Sequence, residues 1–472
     1  MGRGAPVTNL AALLMDHAFG DDEALLHTID RSVTAGRAKA EAAAFAERLE
    51  IAPGQAVAVQ LPNGPELVWT MAAVWLAGGV YVPVNPRVPP AEVAAVLAST
   101  RPAAFVSAGG IAAQEDADRY ADDVAFVMWT SGTTGRPKAI QHTHTAYVEL
   151  LDRVLGPLRG RPAGDAAPSL SPSPSPNLIP VSMALNAGLY NVLFGLRAGA
   201  ALVIMDGFDA EQFGDLVRRF SIRSTVLPPA AIAMLVDSTV TDLSPLKYVR
   251  SITAPLSPLH ARRFTEKYSV FVLNGYGQAE IGEVIGWTAQ DARQFPDKIG
   301  AAGRPHPGVD VRIGAQGQLL VRPPNTASGI DERRDAQGFI DTGDIAHQDD
   351  DGFVWIDGRA GDVINRGGNK VFPEAVEEVL RLNDAVDDVA VVGLTDDRLG
   401  HVPIAVLVGR PVPDDDLRVL CRDHLVAYKV PLSFHWVDAL PRNEAGKVLR
   451  HQLAERFDSG SASGTGNVSN SA

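Results

Sequence analysis

The sequence predicts an α/β protein: a large N-terminal domain of two α/β subdomains plus a small β-structure, followed by a small α+β C-terminal domain. Three observations carry this expectation. The chain has 472 residues, more than one hydrophobic core usually serves. Short apolar runs alternate with helical stretches in two blocks, on either side of a Pro/Ser/Ala/Gly-rich segment from Leu158 to Asn177. From Asp310 to Asp357 the segments become short, alternating and turn-rich, as in a small β-structure. The expected divisions are a first domain over 1–357, a joint at 358–361, a second domain over 362–458 and a disordered Ser/Gly/Asn tail over 459–472.

Taken in order, residues 1 to about 50 carry helical stretches, with an Ala-rich one ending near Leu49. Ala56 to Leu61 reads as a strand, and Leu61-Pro62-Asn63-Gly64-Pro65 as a turn. Leu67 to Val84 is apolar enough to mimic a membrane span, but Gly78-Gly79 and Pro83 interrupt it. A buried helix (Glu66 to Ala77), a turn and a strand (Val80 to Val84) account for it better. A helix over Ala91 to Ser99 and a strand over Ala103 to Val106 follow, then only a short spacer. Phe126-Val-Met-Trp129 is a buried strand. The second block has strands at Ala201 to Met205, Ser224 to Leu227, Val249 to Thr253 and Val270 to Leu273. A helix over Asp209 to Phe220 has Asp209 as its expected N-cap.

Composition narrows the partners. The formal charge of −14 argues against a nucleic-acid partner, whose phosphates attract basic surfaces. The single cysteine, Cys421, excludes an internal disulfide framework and fits a reducing, cytoplasmic compartment. No secretory pattern opens the chain.

The strand at Phe126 runs into Thr130-Ser131-Gly132-Thr133-Thr134-Gly135-Arg136-Pro137-Lys138. Hydroxyls and backbone N–H groups donate to phosphate oxygens, Gly132 and Gly135 let the backbone approach an anion, and Lys138 adds a compact cation. The loop is built to hold a polyphosphate, although its spacing is not that of the common P-loop. Asn274-Gly275-Tyr276-Gly277-Gln278-Ala279-Glu280 reads as a loop after a strand, where α/β proteins bind ligands, and Asp341-Thr342-Gly343-Asp344 as a loop with two carboxylates. Tyr276 offers a face for stacking a purine, Asn274 a donor and an acceptor for a base edge, and Glu280 a hard oxygen for Mg²⁺. His142 and His144 have metal-like spacing but no third ligand, and read as structural.

These segments resemble the adenylate-forming (AMP-binding) superfamily, in particular its acyl-CoA synthetase/ligase branch. The phosphate loop is similar to that family's signature. Tyr276 to Glu280 is similar to its Tyr-Gly-x-Thr-Glu motif, with Ala279 in place of the usual threonine. Thr253-Ala254-Pro255-Leu256 is similar to a Gly-Ala-Pro-Leu turn flanking the adenine and acyl pockets. The resemblance implies ATP, Mg²⁺ and coenzyme A as cofactors, and Lys447, Glu280 and Thr133 as catalytic groups. It assigns Thr130 to Gly135, Lys138, Ala254, Asn274 to Gln278, Asp344, Arg359 and Lys447 to the nucleotide. It makes Asp344 the ribose ligand, Gly361 the hinge of a mobile C-terminal domain, and Gly367 and Gly368 part of a thiol tunnel. Lys447, in Leu440-Pro-Arg-Asn-Glu-Ala-Gly-Lys447, would neutralise charge shared by the attacking carboxylate and the α-phosphate. The acyl pocket would be walled by Met183, Asn186, Pro228, Ala254 and Ala279. Pro180 to Asn186 lacks the aromatic or histidine gate of many relatives, and its small and aliphatic residues suggest an apolar acyl or alicyclic acid.

The implied reaction is activation of a small carboxylic acid as an acyl-adenylate, then transfer to the thiol of coenzyme A. A free-standing carrier protein or an amine is the alternative acceptor. A non-catalytic nucleotide-binding paralogue is the alternative of another class, motivated by Ala279 and the absent gate.

Overall fold

The computed structural model describes residues 9–130, 138–158, 175–252, 254–327, 330–442 and 447–461. Two compact units divide the chain: Met1–Asp310 with Arg322–Gly338, and Val311–Val321 with Phe339–Ala472.

The first unit contains strands β1 (Ala24–His27), β2 (Ser32–Thr34), β3 (Ala56–Gln60), β4 (Val80–Pro83), β5 (Ala104–Ser107), β6 (Gly110–Ala113), β7 (Val124–Thr130) and β8 (Lys138–Thr143). It continues with β9 (Asn177–Ile179), β10 (Leu202–Ile204), β11 (Ser224–Val226), β12 (Tyr248–Ser251), β13 (Phe271–Gln278), β14 (Gly282–Gly286) and β15 (Arg304–Pro305). Two mixed sheets result, in the orders β6-β5-β3-β4-β7-β8 and β15-β14-β13-β12-β11-β9-β10-β1-β2. Each has a parallel centre and antiparallel strands at both ends.

The parallel strands read as continuous apolar runs because both faces are covered. Strand alternation divides them between cores. Val57 and Val59 of β3 join Leu202 and Ile204 of β10 in one cluster, with the helices Ala35–Glu47, Pro65–Leu76 and Asn186–Ala198. Ala56 and Ala58 face a second cluster with Val96, and Val203 a third with Phe213, Ile232 and Phe264. The apolar stretch that mimics a membrane span is the helix Pro65–Leu76, a turn and β4. No helix among the described residues is long and apolar enough to cross a membrane. Asp209 caps its helix, its Oδ1 accepting from the Gln212 N–H at 2.8 Å.

Three sequence expectations need correction. The first fifty residues also contribute the hairpin β1–β2, whose strand β1 pairs with β10. A strand of four residues, paired with one far along the chain, leaves little local signal. The segment Asn274 to Glu280 is not a loop: β13 runs on to Gln278. Asp341 to Asp344 likewise lies within a strand, described next. Of the Pro/Ser-rich segment, 159–174 lie outside the described residues, and Asn177 opens β9.

The second unit holds a four-stranded sheet, β16 (Asp310–Ile313), β17 (Gln318–Arg322), β18 (Ile340–Gln348) and β19 (Val354–Arg359), whose first and last-but-two strands overlap the unit boundary by one residue each. Its other sheet is built from β20 (Ile364–Arg366), β21 (Asn369–Val371), β22 (Val386–Asp396), β23 (Gly400–Gly409) and β24 (Phe434–Trp436), with helices Pro373–Leu380, Asp414–His424 and Arg450–Ser461. The last helix reaches three residues into the stretch expected to be disordered, and 462–472 lie outside the described residues.

A partly buried charge cluster ties this unit together. Arg450 donates to Glu377 Oε1 at 2.6 Å, and lies 3.4 Å from Glu374 and 4.0 Å from Asp362. Burial pushes the Glu374 carboxyl up to about 7 despite the pull of Arg450, and Glu377 and Asp362 add to the rise. Its ordinary value is 4.5, so the folded unit favours the neutral form. The associated stability is full below the ordinary value and is lost as pH rises towards 7. Glu374→Gln should therefore raise the apparent melting temperature above wild type at pH ~8, by an amount equivalent to about 1–2 kcal/mol. That difference should shrink as pH falls and vanish only below the ordinary value of 4.5, near pH ~4, where the carboxyl is protonated in both the folded and the unfolded chain. Melting curves of both proteins across this range make the comparison.

Candidate active site

Strands β7 and β8 frame the phosphate-type loop. They form an antiparallel pair in which Thr130 lies opposite Lys138, so both ends of the loop are fixed by the ladder. The loop closes a hairpin and does not lead into a helix N-terminus, as a P-loop would. Ser131, Gly132, Thr133, Thr134 and Gly135 lie outside the described residues. Of the two predicted metal-like histidines, His144 accepts the Leu10 N–H at 3.1 Å, and His142 stacks on Phe126 at 4.7 Å. Burial lowers both to about 4, so they stay neutral at physiological pH, as structural residues.

The remaining predicted residues of the first unit converge through the sheet. Strands β9, β11, β12 and β13 are consecutive neighbours, all parallel. Their C-terminal ends therefore lie along one edge. Met183 and Asn186 follow β9, Pro228 follows β11, Ala254 follows β12, and Asn274 to Glu280 end β13 or come just after it. Asn63 fixes the first of these connections, donating to the carbonyls of Val181 and Met205 and accepting from the Met183 N–H. Gly188 lets the following helix sit on it, since a Cβ there would lie 2.0 Å from the Ser182 carbonyl oxygen. Thr253 lies outside the described residues.

Strand β13 changes partner midway. Residues up to Asn274 pair parallel with β12, and Gly275 to Gln278 pair antiparallel with β14. Gly277 is required by that closeness, because a Cβ would fall 2.1 Å from the Gly282 carbonyl oxygen. Asn274 donates to the Ala301 carbonyl at 3.0 Å and accepts the Gly275 N–H at 3.1 Å, which uses one of its two N–H groups and one of its two lone pairs. Gln278 accepts from Arg333 Nη2 at 2.8 Å, and Arg333 Nη1 lies 3.5 Å from Glu280 Oε1. Among the described residues no three acidic, histidine or cysteine side chains form a metal cluster. A single carboxylate such as Glu280 fits Mg²⁺ held mainly by phosphate oxygens.

In the second unit, Asp344 and Arg359 are register partners of β18 and β19. Arg359 Nε meets Asp344 Oδ1 at 3.1 Å, and Nη1 donates to the Thr342 carbonyl at 3.0 Å. Asp344 is buried, so Arg359 compensates a desolvated carboxylate. Gly361 lies in the short turn Ala360–Asp362 with no heavy atom within 4 Å of a Cβ built there, so local packing does not demand glycine. Gly367 and Gly368 have φ +55° and +85° between β20 and β21, the conformation of a type I′ hairpin turn. Arg366 donates to the carbonyls of Tyr428 and Val430, a structural role. Lys447 is exposed, beside the pairing of Arg442 with Val448 that closes its loop, and 443–446 lie outside the described residues.

Sequence reasoning missed a partly buried polar group, Arg153, Tyr190, Arg250, Glu283 and His306. The signal available was a charge within each of two otherwise uncharged strands, Tyr248-Val-Arg250-Ser and Gly282-Glu283-Val-Ile-Gly.

The description of the AMP-binding enzyme family matches residues 16–120 and 107–330, and that of the AMP-binding enzyme C-terminal domain matches residues 375–447. A 3-[(3aS,4S,7aS)-7a-methyl-1,5-dioxo-octahydro-1H-inden-4-yl]propanoyl:CoA ligase of Rhodococcus jostii is 30% identical over 481 residues, covering 86% of this chain and 90% of its own. The feruloyl-CoA synthase of an Amycolatopsis species is 30% identical over 454 residues, covering 86% and 90%. Among solved structures, the amide bond synthetase McbA from Marinactinospora thermotolerans matches with a TM-score of 0.81 at 26% identity, over 96% of this chain and 100% of that one. With these matches spanning both units, the chain belongs to the AMP-binding enzyme family, the adenylate-forming superfamily, in its acyl-CoA synthetase/ligase branch.

Proposed function

We propose that this chain joins a small carboxylic acid to the thiol of coenzyme A through an acyl-adenylate, consuming ATP. The observation that carries the reading is the common edge of β9, β11, β12 and β13, where an acyl site and a purine site would be side by side. The CoA ligases and synthases among its relatives support the same reading.

In the first step an oxygen of the carboxylate attacks the α-phosphorus of ATP. The bond to the bridging oxygen breaks, and pyrophosphate leaves. The two reactants repel, so the site must supply positive charge and orientation more than covalent chemistry. Lys447 is assigned to the oxygens shared by carboxylate and α-phosphate, and the 130–138 loop with Thr133 to the phosphates. Glu280 would hold Mg²⁺, which supplies charge neutralisation between phosphates. Asp344, steadied by Arg359, is assigned to the ribose diol. In the second step the thiol sulfur attacks the acyl carbonyl carbon, AMP leaves, and the thiol proton passes to solvent. Gly361 is assigned as the hinge between steps, and Gly367 and Gly368 to the thiol path. The buried Met183 and the small or apolar Pro228, Ala254 and Ala279 favour an apolar or alicyclic carbon skeleton. The likeness to an amide bond synthetase favours an amine as the second possible acceptor. Supplying both acceptors to preformed adenylate and weighing the thioester against the amide separates these readings.

Lys447→Ala should lower acid-dependent pyrophosphate exchange at least ~100-fold, equivalent to about 3 kcal/mol of transition-state stabilisation. Thioester formation from preformed acyl-adenylate should change only a few-fold, and an equal loss in both half-reactions would contradict the assignment. Asp344→Asn should raise the KM for ATP about tenfold and erase the preference for ATP over an analogue lacking a ribose hydroxyl. Steady-state kinetics with both nucleotides test this, and an unchanged preference would remove Asp344 from the ribose site.

A further inference from the structure

Strands β12 and β14 each carry one charge, Arg250 and Glu283, and the helix Asn186–Ala198 brings Tyr190 within their electrostatic reach. Glu283 Oε1 lies 3.0 Å from Arg250 Nη2 and 3.1 Å from His306 Nε2. The Glu283 side chain is 9% exposed and that of Arg250 19%. Two glycines clear the space: a Cβ on Gly275 or on Gly286 would fall 2.7 Å from Glu283 Oε1. Tyr190 extends the group from the helix. Burial raises its hydroxyl pKa, and the fields of Glu283, Arg250 and Arg153 also act on it. Asn186, one turn earlier, is a predicted wall of the acyl pocket.

The polar atoms of this group are incompletely satisfied. Among the described residues, Tyr190 Oη, Arg153 Nη2, Arg250 Nε, Asn186 Oδ1 and Glu283 Oε2 are buried and have no hydrogen-bond partner. Each such atom costs on the order of 1–3 kcal/mol when left unmet. Four of the five belong to Arg153, Tyr190, Arg250 and Glu283, which act on one another electrostatically, and unmet atoms gathered in this way point to a polar guest. Three of the five can donate, and two of those donors belong to arginines. Acceptor oxygen on a guest would satisfy these three donors, while Asn186 Oδ1 and Glu283 Oε2 are acceptors that such an oxygen leaves unmet.

We propose that the acid carries a hydrogen-bond-accepting oxygen, a ketone or a second carboxylate, at the end remote from its reacting carboxyl, met by Tyr190, Arg153 and Arg250. This rests on the acyl-adenylate reading and deepens it. The carbon skeleton packs against the apolar walls, and the far oxygen selects among acids of similar size. A hydrocarbon acid leaves the donors unpaired and is rejected for that reason.

The test is acid-dependent pyrophosphate exchange with matched pairs: octanoate against its keto and ω-carboxy counterparts, and cyclohexylpropanoate against its ring ketone. The oxygenated member of at least one pair should be favoured about tenfold or more in kcat/KM. Tyr190→Phe should bring that ratio towards one, and Arg153→Met provides a second reading should the first variant fail to fold. Hydrocarbon acids used as well as or better than their partners, or a ratio unmoved by both variants, would overturn the proposal while leaving adenylation intact. Exchange with no acid of the panel would overturn the adenylation reading and this inference together.

Discussion

The site depends on a run of parallel strands ending side by side. Parallel pairing fixes β9, β11, β12 and β13 in one direction, so the residue after each strand emerges at the same edge. Met183, Pro228, Ala254 and Glu280 are far apart in the chain, and only this ladder gathers their segments. The same constraint explains the two-faced apolar strands, because a parallel centre must be covered on both sides. At β13 the ladder does something further. By exchanging a parallel partner for an antiparallel one, the strand keeps Tyr276 and Gln278 hydrogen-bonded into a sheet. The motif is thus presented on a stiff element, which suits the base-holding role proposed for it.

Charge is managed differently in the two units. In the first, Glu280 and Glu283 are each close to an arginine, Arg333 and Arg250 respectively. In the second, Asp344 is buried against Arg359, and Arg450 joins Glu374, Glu377 and Asp362 near the root of the helix that follows Lys447. Burying acids costs free energy unless cations accompany them. Lys447 itself is exposed, as befits a cation assigned to a substrate.

Much of this was legible in the sequence, and the limits have physical reasons. Strands such as Ala56–Gln60 and the cap at Asp209 are local features, decided by neighbouring residues. The phosphate-type loop, the β13 motif and the lysine loop were visible as motifs because glycine, hydroxyl and lysine spacing is also local. Hairpin β1–β2 was missed because a four-residue strand gains its identity from β10. Asn274 to Glu280 was read as a loop because Asn-Gly and Gly-x-Gly are turn signals. Here the glycines serve close strand packing, as Gly277 against Gly282 demonstrates. Gly367 and Gly368 show the reverse, a turn signal with a turn beneath it. The Arg250–Glu283–His306 group was invisible because its members meet only after three separate segments fold.

The central claim is that the acid's oxygen attacks the α-phosphorus of ATP. The most direct measurement supplies the acid with both carboxylate oxygens replaced by heavy oxygen, together with ATP, Mg²⁺ and coenzyme A, and determines by mass spectrometry where the label goes. The account predicts one heavy oxygen in the phosphate of AMP for each thioester formed. Label in inorganic phosphate or pyrophosphate, or AMP free of label while thioester accumulates, would contradict it.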